Sequence, residues 1–486
     1  MSANAILRTT VVGASASTSW PTIKIGDALH LVNGRAFKPT EWTKTGTPIV
    51  RIQNLNNPDA PYNYYQGDLP AKIALDDGDL LFAWSGTPGT SFGAHIWRGG
   101  KAWLNQHIFK VEFDFSQFDK RFLQLAINQN LTEYIRAAHG GAGLAHITKG
   151  RFEASELPLP PLQEQRRIVA ELEKQFTRLE AGVSALRRVQ ANLKRYRAAV
   201  LKAACEGRLV PTEAELAKTG NRKASFETGE ALLARILAER RYNWQGRGKY
   251  KEPIAADTGN LPSLPEGWTW ATPDQLSDFG ESAICAGPFG TIFKARDFRP
   301  SGVPIIFLRH VAPGRYLAHK PGFMDEAKWE ELFRPYSVFG GELLVTKLGE
   351  PPGVCAIYPE GIGPAMVTPD VMKMTANSLA ALPMFLMHYF NSQTARDFAT
   401  GVAFGTTRLR LTLPIFREMP VPLPPLAEQL RIVAEVERRL SVVEELEAVV
   451  SANLQRASRL RQSILQKAFI GQLVCEDKPS IRQRTG

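Results

Sequence analysis

The sequence predicts an α+β protein of two similar mixed α/β domains, joined by two long antiparallel coiled-coil helices in a pseudo-two-fold internal repeat. Three observations predict this fold. Residues 158–171 (PLPPLQEQRRIVAE) recur at 422–435 (PLPPLAEQLRIVAE) and differ at only two positions. A long apolar heptad pattern follows each copy, and short β-like runs precede each copy. The offset of 264 residues (422 minus 158) is too long for a solenoid unit, so the chain consists of two related halves.

Composition and charge restrict the class of protein. At 486 residues the chain is long enough for two or three domains, and 59 Lys plus Arg against 48 Asp plus Glu give a net charge of +11. This excess is compatible with a polyanionic partner such as nucleic acid. The sequence lacks an apolar run of membrane-spanning length and a signal-peptide pattern. The scattered cysteines are typical of a reducing compartment, so we expect a cytoplasmic protein without a membrane segment.

Residues 1–156 are predicted to form the first domain. Short runs such as WPTIKIGDAL and HIFKVEF are typical of strands separated by turns. A helix is expected at about 119–138, and a glycine-rich stretch follows at 139–150. Arg51 and Gln53 alternate with apolar neighbours, so a half-buried strand would present both on one face.

Residues 157–206 and 421–474 are predicted to form the two long helices. Pro160 and Pro161 favour a helix start, because proline is tolerated in the first turn and disfavours helix before it. Gly207 is the expected stop of the first helix. The apolar seam positions of the two helices are Val169, Leu172, Phe176, Leu179, Val183, Leu186, Val433, Val436, Leu440, Val443 and Val450.

A linker, a second domain and a tail complete the chain. Residues 207–262 form the linker, residues 263–420 the second domain and residues 475–486 the tail. The second domain echoes the first weakly, since GDLL at 78–81 resembles GELL at 341–344. The framework residues match while the polar residues differ, which is what two related domains with different targets would show.

The direction of the chain predicts how the long helices pair. The second helix buries its apolar stripe most simply by running back along the first, so the pair is antiparallel and a positions face d positions. Gln165, Arg197, Gln429 and Arg461 fall on the seam. We therefore predict two polar layers that fix the register, one of Gln165 with Arg461 and one of Arg197 with Gln429.

The repeated helix motif resembles that of the specificity subunits of type I restriction-modification enzymes. The resemblance rests on PLPPLQEQRRIVAELE (158–173) and PLPPLAEQLRIVAEVE (422–437). It is supported by KAACEGRLVP (202–211), QKAFIGQLV (466–474) and LPEGWTW (264–270). It covers nearly the whole chain and is weakest at the N-terminal end.

This resemblance implies a non-catalytic subunit that binds double-stranded DNA. Each target-recognition domain would bind one half of a split, asymmetric site. The long helices would set the spacing of the halves and dock two DNA-methyltransferase (modification) subunits, with restriction or translocase subunits as further partners. No cofactor is expected in this chain, because the resemblance assigns S-adenosylmethionine and ATP to the partner subunits.

The residues themselves contain no catalytic or metal motif. There is no GxxxxGK[ST] phosphate loop. The EPPG run at 350–353 lacks the aromatic residue of a methyltransferase polar-Pro-Pro-aromatic loop and is interpreted as a turn. His139 and His146 flank a glycine-rich loop without a carboxylate or thiol cluster, so no metal site is predicted.

Polar side chains of the two domains are the candidate DNA contacts, because Arg and Lys bind guanine edges and phosphates while Asn and Gln bind adenine edges. The candidates are Arg51, Gln53, Asn54, Lys149, Arg151, Arg309, His310, Lys347, Arg408 and Arg410. Arg408 and Arg410 are the strongest pair, since alternation along a strand aims both the same way. For each residue alone, a solvated polar face is an equally good interpretation.

Two other functions stay open at the level of sequence. The chain would be a coiled-coil interaction scaffold if its binding to duplex DNA were weak and insensitive to salt. It would be an enzyme with a built-in methyltransferase if the purified chain alone transferred methyl groups. The missing motifs argue against the enzyme.

Overall fold

The computed structural model describes residues 20–473, apart from residue 58 and residues 87–89, 132–133, 136–144, 220–225, 246–247, 281, 289–292 and 403–408. The predicted tail therefore lies outside the described residues. The chain divides into two compact units. The first comprises Met1–Arg187 with Ser451–Gly486, and the second comprises Arg188–Val450.

The first unit contains two four-stranded sheets. Its strands are β1 (Thr22–Lys24), β2 (Leu29–Asn33), β3 (Thr47–Val50), β4 (Asn63–Tyr65), β5 (Ala74–Leu75), β6 (Leu80–Ala83), β7 (Ser85–Gly86), β8 (Gly93–Ile96), β9 (Ala102–Leu104), β10 (Ile108–Phe113), β11 (Ala145–His146) and β12 (Glu156–Pro158). One sheet has the order β2-β10-β6-β8 and is antiparallel throughout. The other has the order β4-β3-β9-β5, in which β3 and β9 are parallel. β1 pairs with β12, and β7 pairs with β11.

Short helices and the first part of one long helix also belong to this unit. They are α1 (Ile25–Ala28), α2 (Ile52–Asn56), α3 (Lys120–Gln129), α4 (Lys149–Glu153) and the N-terminal part of α5 (Leu162–Cys205), with 3-10 turns at Pro39–Glu41 and Ala71–Ile73. The side chain of Asp119 accepts hydrogen bonds from the first-turn amides of α3, which explains why that helix begins there. Phe82, Phe122 and Leu172 bring the sheet, α3 and α5 into one buried core.

The second unit contains the remaining described strands. They are β13 (Thr269–Ala271), β14 (Ile284–Ala286), β15 (Phe298–Arg299), β16 (Val303–Ile306), β17 (Val311–Ala312), β18 (Arg315–Tyr316), β19 (Gly322–Met324), β20 (Ser337–Val338), β21 (Leu343–Thr346), β22 (Cys355–Ile357), β23 (Ala365–Val367), β24 (Val371–Met374) and β25 (Val421–Leu423). The helices are α6 (Glu213–Thr219), α7 (Gly229–Tyr242), α8 (Pro273–Leu276), α9 (Glu326–Lys328), α10 (Pro383–Phe390), α11 (Gln393–Val402), α12 (Leu413–Arg417) and α13 (Leu426–Phe469), whose C-terminal part belongs to the first unit. A π-helical turn covers Trp329–Phe333, and 3-10 turns cover Ala295–Asp297, Leu308–His310 and Arg334–Tyr336.

Strand order shows that the two domains share one topology. The order β14-β24-β21-β22 repeats β2-β10-β6-β8, and β19-β16-β23-β20 repeats β4-β3-β9-β5, with β15 added at the edge. The parallel pair also recurs, with Ile49 opposite Trp103 and Ile305 opposite Met366. The predicted fold of two similar mixed α/β domains is therefore confirmed.

The two long helices, α5 and α13, each span 44 residues. Each ends at a glycine with positive φ, +65° at Gly207 and +74° at Gly471. The next backbone amide, of Arg208 or Gln472, donates to a carbonyl five residues earlier and closes the helix end. Gly207 is thus confirmed as the stop of the first helix.

The long helices run antiparallel, because each unit contains the N-terminal half of one and the C-terminal half of the other. In the first unit Arg461 lies 3.0 Å from the Glu180 carboxylate and 4.3 Å over the Phe176 ring. In the second unit Arg197 lies 3.3 Å from Glu447. Of the predicted seam residues, those that are buried are Leu172, Phe176, Val436, Leu440, Val443 and Val450, and those that are half-buried are Val169, Leu179, Val183, Leu186 and Val433.

The predicted polar layers are wrong, since both arginines pair with glutamates and both glutamines are used elsewhere. The Gln165 side chain accepts from the Asp119 amide at 2.8 Å and donates to the carbonyls of Gln117 and Pro160. Gln429 accepts from the Leu382 amide at 2.9 Å and donates to the carbonyls of Ala380 and Pro424. Each glutamine lies in the first turn of its helix, where the helix still packs on its own domain. The repeated motif therefore attaches each long helix to the N-terminus of a domain helix.

Among the described residues, no helix combines the length and the apolar character needed to cross a bilayer.

Candidate nucleic-acid interface

Each domain has a surface of its own at which equivalent strands end. The same backbone hydrogen bonds hold these strand ends in both domains. The Asn105 amide donates to Val50 at 3.3 Å, and the Thr368 amide donates to Ile306 at 3.0 Å. The Trp84 amide donates to His107 at 3.1 Å.

The second domain has an equivalent of the bond between Trp84 and His107, and the two domains share one further backbone bond. The Lys347 amide donates to Asp370 at 2.8 Å. Ile147 then donates to Trp84, as Leu411 donates to Lys347. These bonds define which residues occupy equivalent positions in the two domains.

We call this region the strand-end surface of each domain. In the first domain it consists of Arg51, Trp84, residues 105–107 and His146. In the second it consists of Arg309, Lys347, residues 368–370 and Arg410. Each set lies at or beside the ends of strands.

An aromatic and imidazole cluster occupies the strand-end surface of the first domain. The Trp84 ring lies 4.9 Å from the His107 ring and 4.8 Å from the His146 ring, edge to face in both cases. Within the described part of the chain, the Trp84 Nε1 and His107 Nδ1 atoms are buried and have no hydrogen-bond partner. Burial lowers the pKa of His107, and the nearby His146 lowers it further. A cluster of this kind offers ring faces and ring nitrogen atoms.

A cation–π pair lies beside that cluster. The Arg51 guanidinium lies 5.4 Å from the centre of the exposed Trp42 ring. Gln106 is exposed on the loop between β9 and β10, and its backbone N–H donates a hydrogen bond to the side-chain oxygen of Asn105. This edge of the sheet therefore presents a planar cation and a carboxamide to solvent.

Charged side chains occupy the equivalent positions of the second domain. Lys347 is only 6% exposed, and its pKa is lowered by burial and by the positive charge of Arg410, while Asp370 opposes the shift. Arg410 is exposed and pairs through its backbone with Leu348. The structure thus brings together Lys347 and Arg410, two of the candidate DNA contacts named from the sequence.

Arg309 borders the same surface of the second domain. It lies 4.2 Å over the Phe307 ring, which stacks on the exposed Phe298 ring. A shallow cleft of about 490 Å³ is lined here by Phe293, Lys294, Phe298, Phe307, Leu308, Arg309, Thr368, Pro369 and Asp370. Basic side chains interleaved with exposed rings suit a nucleic-acid surface.

Asn54 and His310 are not surface contacts, and their predicted contact with DNA is corrected. Asn54 is 1% exposed and His310 is 0% exposed. The Asn54 side chain accepts from the Arg51 amide and donates to the Ala60 carbonyl. His310 accepts from the Phe307 amide and contacts the His319 carbonyl. Both residues cap the turn after an equivalent strand, so their polar atoms are already used.

The other predicted contacts lie on separate parts of the domains. Gln53 is exposed and donates to the Pro61 carbonyl. Lys149 and Arg151 are exposed on α4, where Lys149 donates to the Leu31 carbonyl and lies 3.5 Å from Glu153. Arg408 lies outside the described residues.

Sequence reasoning missed Trp84, Gln106, His107 and Asp370. A signal for Trp84 was present, because the run GDLLFA ends just before it as GELLVT ends just before Lys347. His107 and Asp370 become visible only when β10 and β24 are known to be equivalent strands. The described residues contain no group of three or more His, Cys, Asp or Glu side chains arranged to hold a metal ion.

Comparisons with known proteins agree with this architecture. The sequence model of the family described as "Type I restriction modification DNA specificity domain" matches residues 18–185. The chain is 26% identical over 461 residues to the type I restriction enzyme EcoBI specificity subunit of Escherichia coli, covering 94% of this chain and 87% of that one. It is 20% identical to the MjaVIII specificity subunit of Methanocaldococcus jannaschii, covering 95% and 94%.

A solved structure shares the fold. Its title reads "Structural basis underlying complex assembly and conformational transition of the type I R-M system". The TM-score is 0.59 at 18% identity, and the match covers 93% of this chain and 98% of that chain.

Proposed function

We propose that this chain selects DNA through its two domains, each binding one half of a split site, and its similarity to type I restriction enzyme specificity subunits supports this proposal. The observation that carries this proposal is the repeated strand-end surface. The same backbone hydrogen bonds hold Trp84, His107 and His146 in one domain and Lys347, Asp370 and Arg410 in the other. One frame with two side-chain sets is what reading two different half-sites requires.

Chemistry of the two surfaces supports contact with duplex DNA. In the second domain the exposed Arg309 and Arg410 supply cations for phosphates and guanine edges. In the first domain Arg51 supplies the cation, and the exposed Gln106 carboxamide has the donor and acceptor that suit an adenine edge. The Trp84 and His107 donors that lack a partner among the described residues would be satisfied by DNA or by bound water.

The chain contributes binding rather than catalysis in this proposal. Modification subunits would hold S-adenosylmethionine and transfer the methyl group, and restriction or translocase subunits would use ATP. The paired helices α5 and α13 would dock the modification subunits. The sequence motif repeated at the start of both helices attaches each to its domain through Gln165 or Gln429, so that docking and recognition share one frame.

The decisive experiment maps methylated bases in a genome after co-expression of this chain with the modification subunit of the same host. We expect a split motif with a fixed spacer. Lys347→Ala with Arg410→Ala should change or lose specificity in one half of the motif only. His146→Ala with Trp84→Ala should affect the other half only.

Three results would contradict this function or favour the scaffold or the built-in enzyme instead. A contiguous motif, or variants that alter both halves alike, would contradict the two-domain assignment. Duplex binding by the assembled complex that is weak and unchanged between 50 mM and 200 mM salt would favour the scaffold, because phosphate contacts lose affinity steeply over about that range. Methyl transfer by this chain alone would favour the built-in enzyme.

A further inference from the structure

A cavity of about 660 Å³ lies within the second unit, lined by residues of the domain helices α10 and α11 and of the long helices α5 and α13. Its volume falls within the range of about 300–1,000 Å³ that is usual for small-molecule sites. We call it the helix cavity. It shares no residue with the strand-end surface of the same domain.

One part of the helix cavity is apolar. The apolar side chains that line it include Leu201, Ile357, Met384, Met387 and Leu440. Methionine is unbranched and polarizable, so the two methionines of α10 adapt to the flat face or the edge of a ring. This part of the cavity therefore suits the ring of a small molecule.

Cationic side chains line the rest of the helix cavity. Arg197 lies 3.7 Å from Glu444 and 3.3 Å from Glu447, so its charge is already paired. The Glu437 carboxylate lies 2.9 Å from Nε2 of His388. Three further cations line the cavity, and none of them forms an ion pair within the described part of the chain: Lys194, Arg315 and Arg396. Three cations against the single carboxylate of Glu437 leave a formal excess of two positive charges (three minus one).

Arg396 is the cation that most needs a partner. It is half-buried, and its Nε atom is buried without a hydrogen-bond partner among the described residues. Burial lowers the pKa of Arg396, yet a guanidinium remains charged at neutral pH. A partly buried cation without an acidic partner costs free energy, which a bound anion would offset.

Helix α3 of the first unit is the equivalent of α10. The Asp119 amide donates to the motif glutamine of α5, as the Leu382 amide donates to that of α13. Nine residues further on (128 minus 119, and 391 minus 382), Asn128 and Asn391 each bind the N–H and the C=O of one strand residue. These matched bonds align the two helices residue by residue.

In the first unit, polar side chains take the place of the apolar lining. By this alignment Arg121 and Gln124 stand where Met384 and Met387 stand in the second unit. Arg121 lies 3.1 Å from the Glu173 carboxylate and also donates to Gln124. Of the described residues that line the cleft of about 510 Å³ at this place, one is apolar. The combination of an apolar lining with unpaired cations is therefore a feature of the second unit among the described residues.

We propose that the helix cavity binds a small phosphate monoester whose body contains a ring. The phosphate carries a charge of about −1.5 to −2 at pH 7, which matches the positive excess, whereas a single carboxylate leaves part of it. Arginine and lysine are the side chains that bind phosphate through charge-assisted hydrogen bonds. The ring packs on Met384 and Met387. This site is independent of DNA selection by the strand-end surfaces.

Thermal unfolding of the full chain with four probes tests the site. The probes are adenosine 5′-monophosphate, 1-naphthyl phosphate, adenosine and inorganic phosphate, each at the same concentration. A ligand that binds only the folded chain raises the melting temperature. We expect at least one of the two esters to raise it by more than adenosine and inorganic phosphate do. A rise with both esters means that any ring suffices, and a rise with adenosine 5′-monophosphate alone identifies a nucleotide site.

Glutamine substitutions assign the binding to the cavity. Arg396→Gln should weaken the affinity for the active ester by about tenfold or more, as expected for a lost hydrogen bond to a charged group. Lys194→Gln should weaken it by about twofold to fivefold, because Lys194 is exposed and its contact is partly screened. Arg188→Gln is the matched control, since Arg188 is exposed on α5 and lies outside the lining. Isothermal titration calorimetry measures the three affinities.

Hydrogen exchange with the ester bound locates the site independently of the variants. Slower exchange in α10 and α11 supports the proposal. Slower exchange around Arg309 and Arg410 instead would assign the ester to the strand-end surface and overturn it. The proposal also fails if neither ester raises the melting temperature above the value with inorganic phosphate, or if Lys194→Gln and Arg188→Gln bind the ester alike. The second comparison holds even where Arg396→Gln disturbs folding.

Discussion

The strand-end surfaces of the two domains share a backbone and differ in chemistry. Trp84 and Lys347 occupy one position, each with its amide bonded to the loop that follows a parallel strand and its carbonyl bonded to the next segment. His107 and Asp370 occupy a second position, and His146 and Arg410 occupy a third. An aromatic and imidazole cluster in one domain thus replaces an ionic cluster in the other.

This difference shows that the fold constrains the backbone hydrogen bonds at the strand ends and not the side chains there. The backbone bonds at the strand ends must be made in both domains, because buried amides and carbonyls need partners. These bonds use backbone atoms only, so they do not fix which side chains stand at these positions. Recognition can therefore diverge while the frame that supports it stays the same.

Substitutions of two glycines test the shared backbone frame, and they have the largest expected effect on the free energy of unfolding. A Cβ at Gly34 would lie 2.0 Å from the Asn105 carbonyl oxygen, and one at Gly287 would lie 1.9 Å from the Val367 carbonyl oxygen. We expect Gly34→Ala and Gly287→Ala each to lower the free energy of unfolding by about 4 kcal/mol or more, since backbone must move. Denaturant titration measures the loss, and hydrogen exchange locates it in one domain.

Gly182→Ala is the matched control for these variants. A Cβ there meets no atom within 4 Å, and the residue lies inside α5. Alanine should raise the free energy of unfolding by about 0.5–1 kcal/mol, because it favours helix. An unchanged stability of Gly34→Ala or Gly287→Ala would mean that the close approach is absent in that domain.

The two motif glutamines test the frame with the next largest effect. Gln165→Ala and Gln429→Ala each leave two carbonyls and one amide without their partner. We expect each to cost about 2–4 kcal/mol in the free energy of unfolding, because buried polar groups lose their hydrogen bonds. Gln163→Ala is the control, since Gln163 is exposed and should change stability by less than about 0.5 kcal/mol. A large loss from only one of the two motif variants would show that the repeats are not equivalent.

Sequence reasoning predicted the framework because the framework is periodic. The repeat at 158 and 422, the heptads and Gly207 all carry signals that depend on local spacing, and each corresponds to an observed feature. Gln165 shows the limit of that reasoning. Its heptad position suggested a seam layer, but the first turn of α5 contacts its own domain before it meets α13.

The candidate site was less predictable for a physical reason. Asn54 and His310 were chosen as polar residues after a strand, yet both cap turns, and capping cannot be separated from solvent exposure in a sequence. Trp84 was overlooked because a tryptophan after an apolar strand is typical of a core. Only the pairing of β7 with β11 brings it beside His146.

Salt dependence should separate the chemistry of the two surfaces. Arg410→Ala should weaken DNA binding and reduce the slope of log affinity against log salt by about one, as for the loss of one cationic contact to the DNA backbone. Trp84→Ala, in the ring cluster of the first domain, should leave that slope unchanged, because an indole side chain carries no charge. Fluorescence anisotropy of the assembled complex at several salt concentrations measures both slopes. Equal changes in slope would show that the two surfaces bind DNA by the same chemistry.

The acid sensitivity of the ring cluster in the first domain should give the smallest effect. The pKa of His107 is lowered by burial and then by His146, so below the ordinary value of 6.5 the unfolded chain binds protons more readily than the folded one. The stability that His107 contributes is therefore present above pH 6.5 and is lost as the pH falls below it. His107→Asn removes the titration and keeps a residue that tolerates the positive φ of 73° at this position. Thermal unfolding between pH 7.5 and 5.5 should then show a shallower fall in melting temperature for the variant than for the parent, and parallel curves would mean that the ring cluster does not couple protonation to folding.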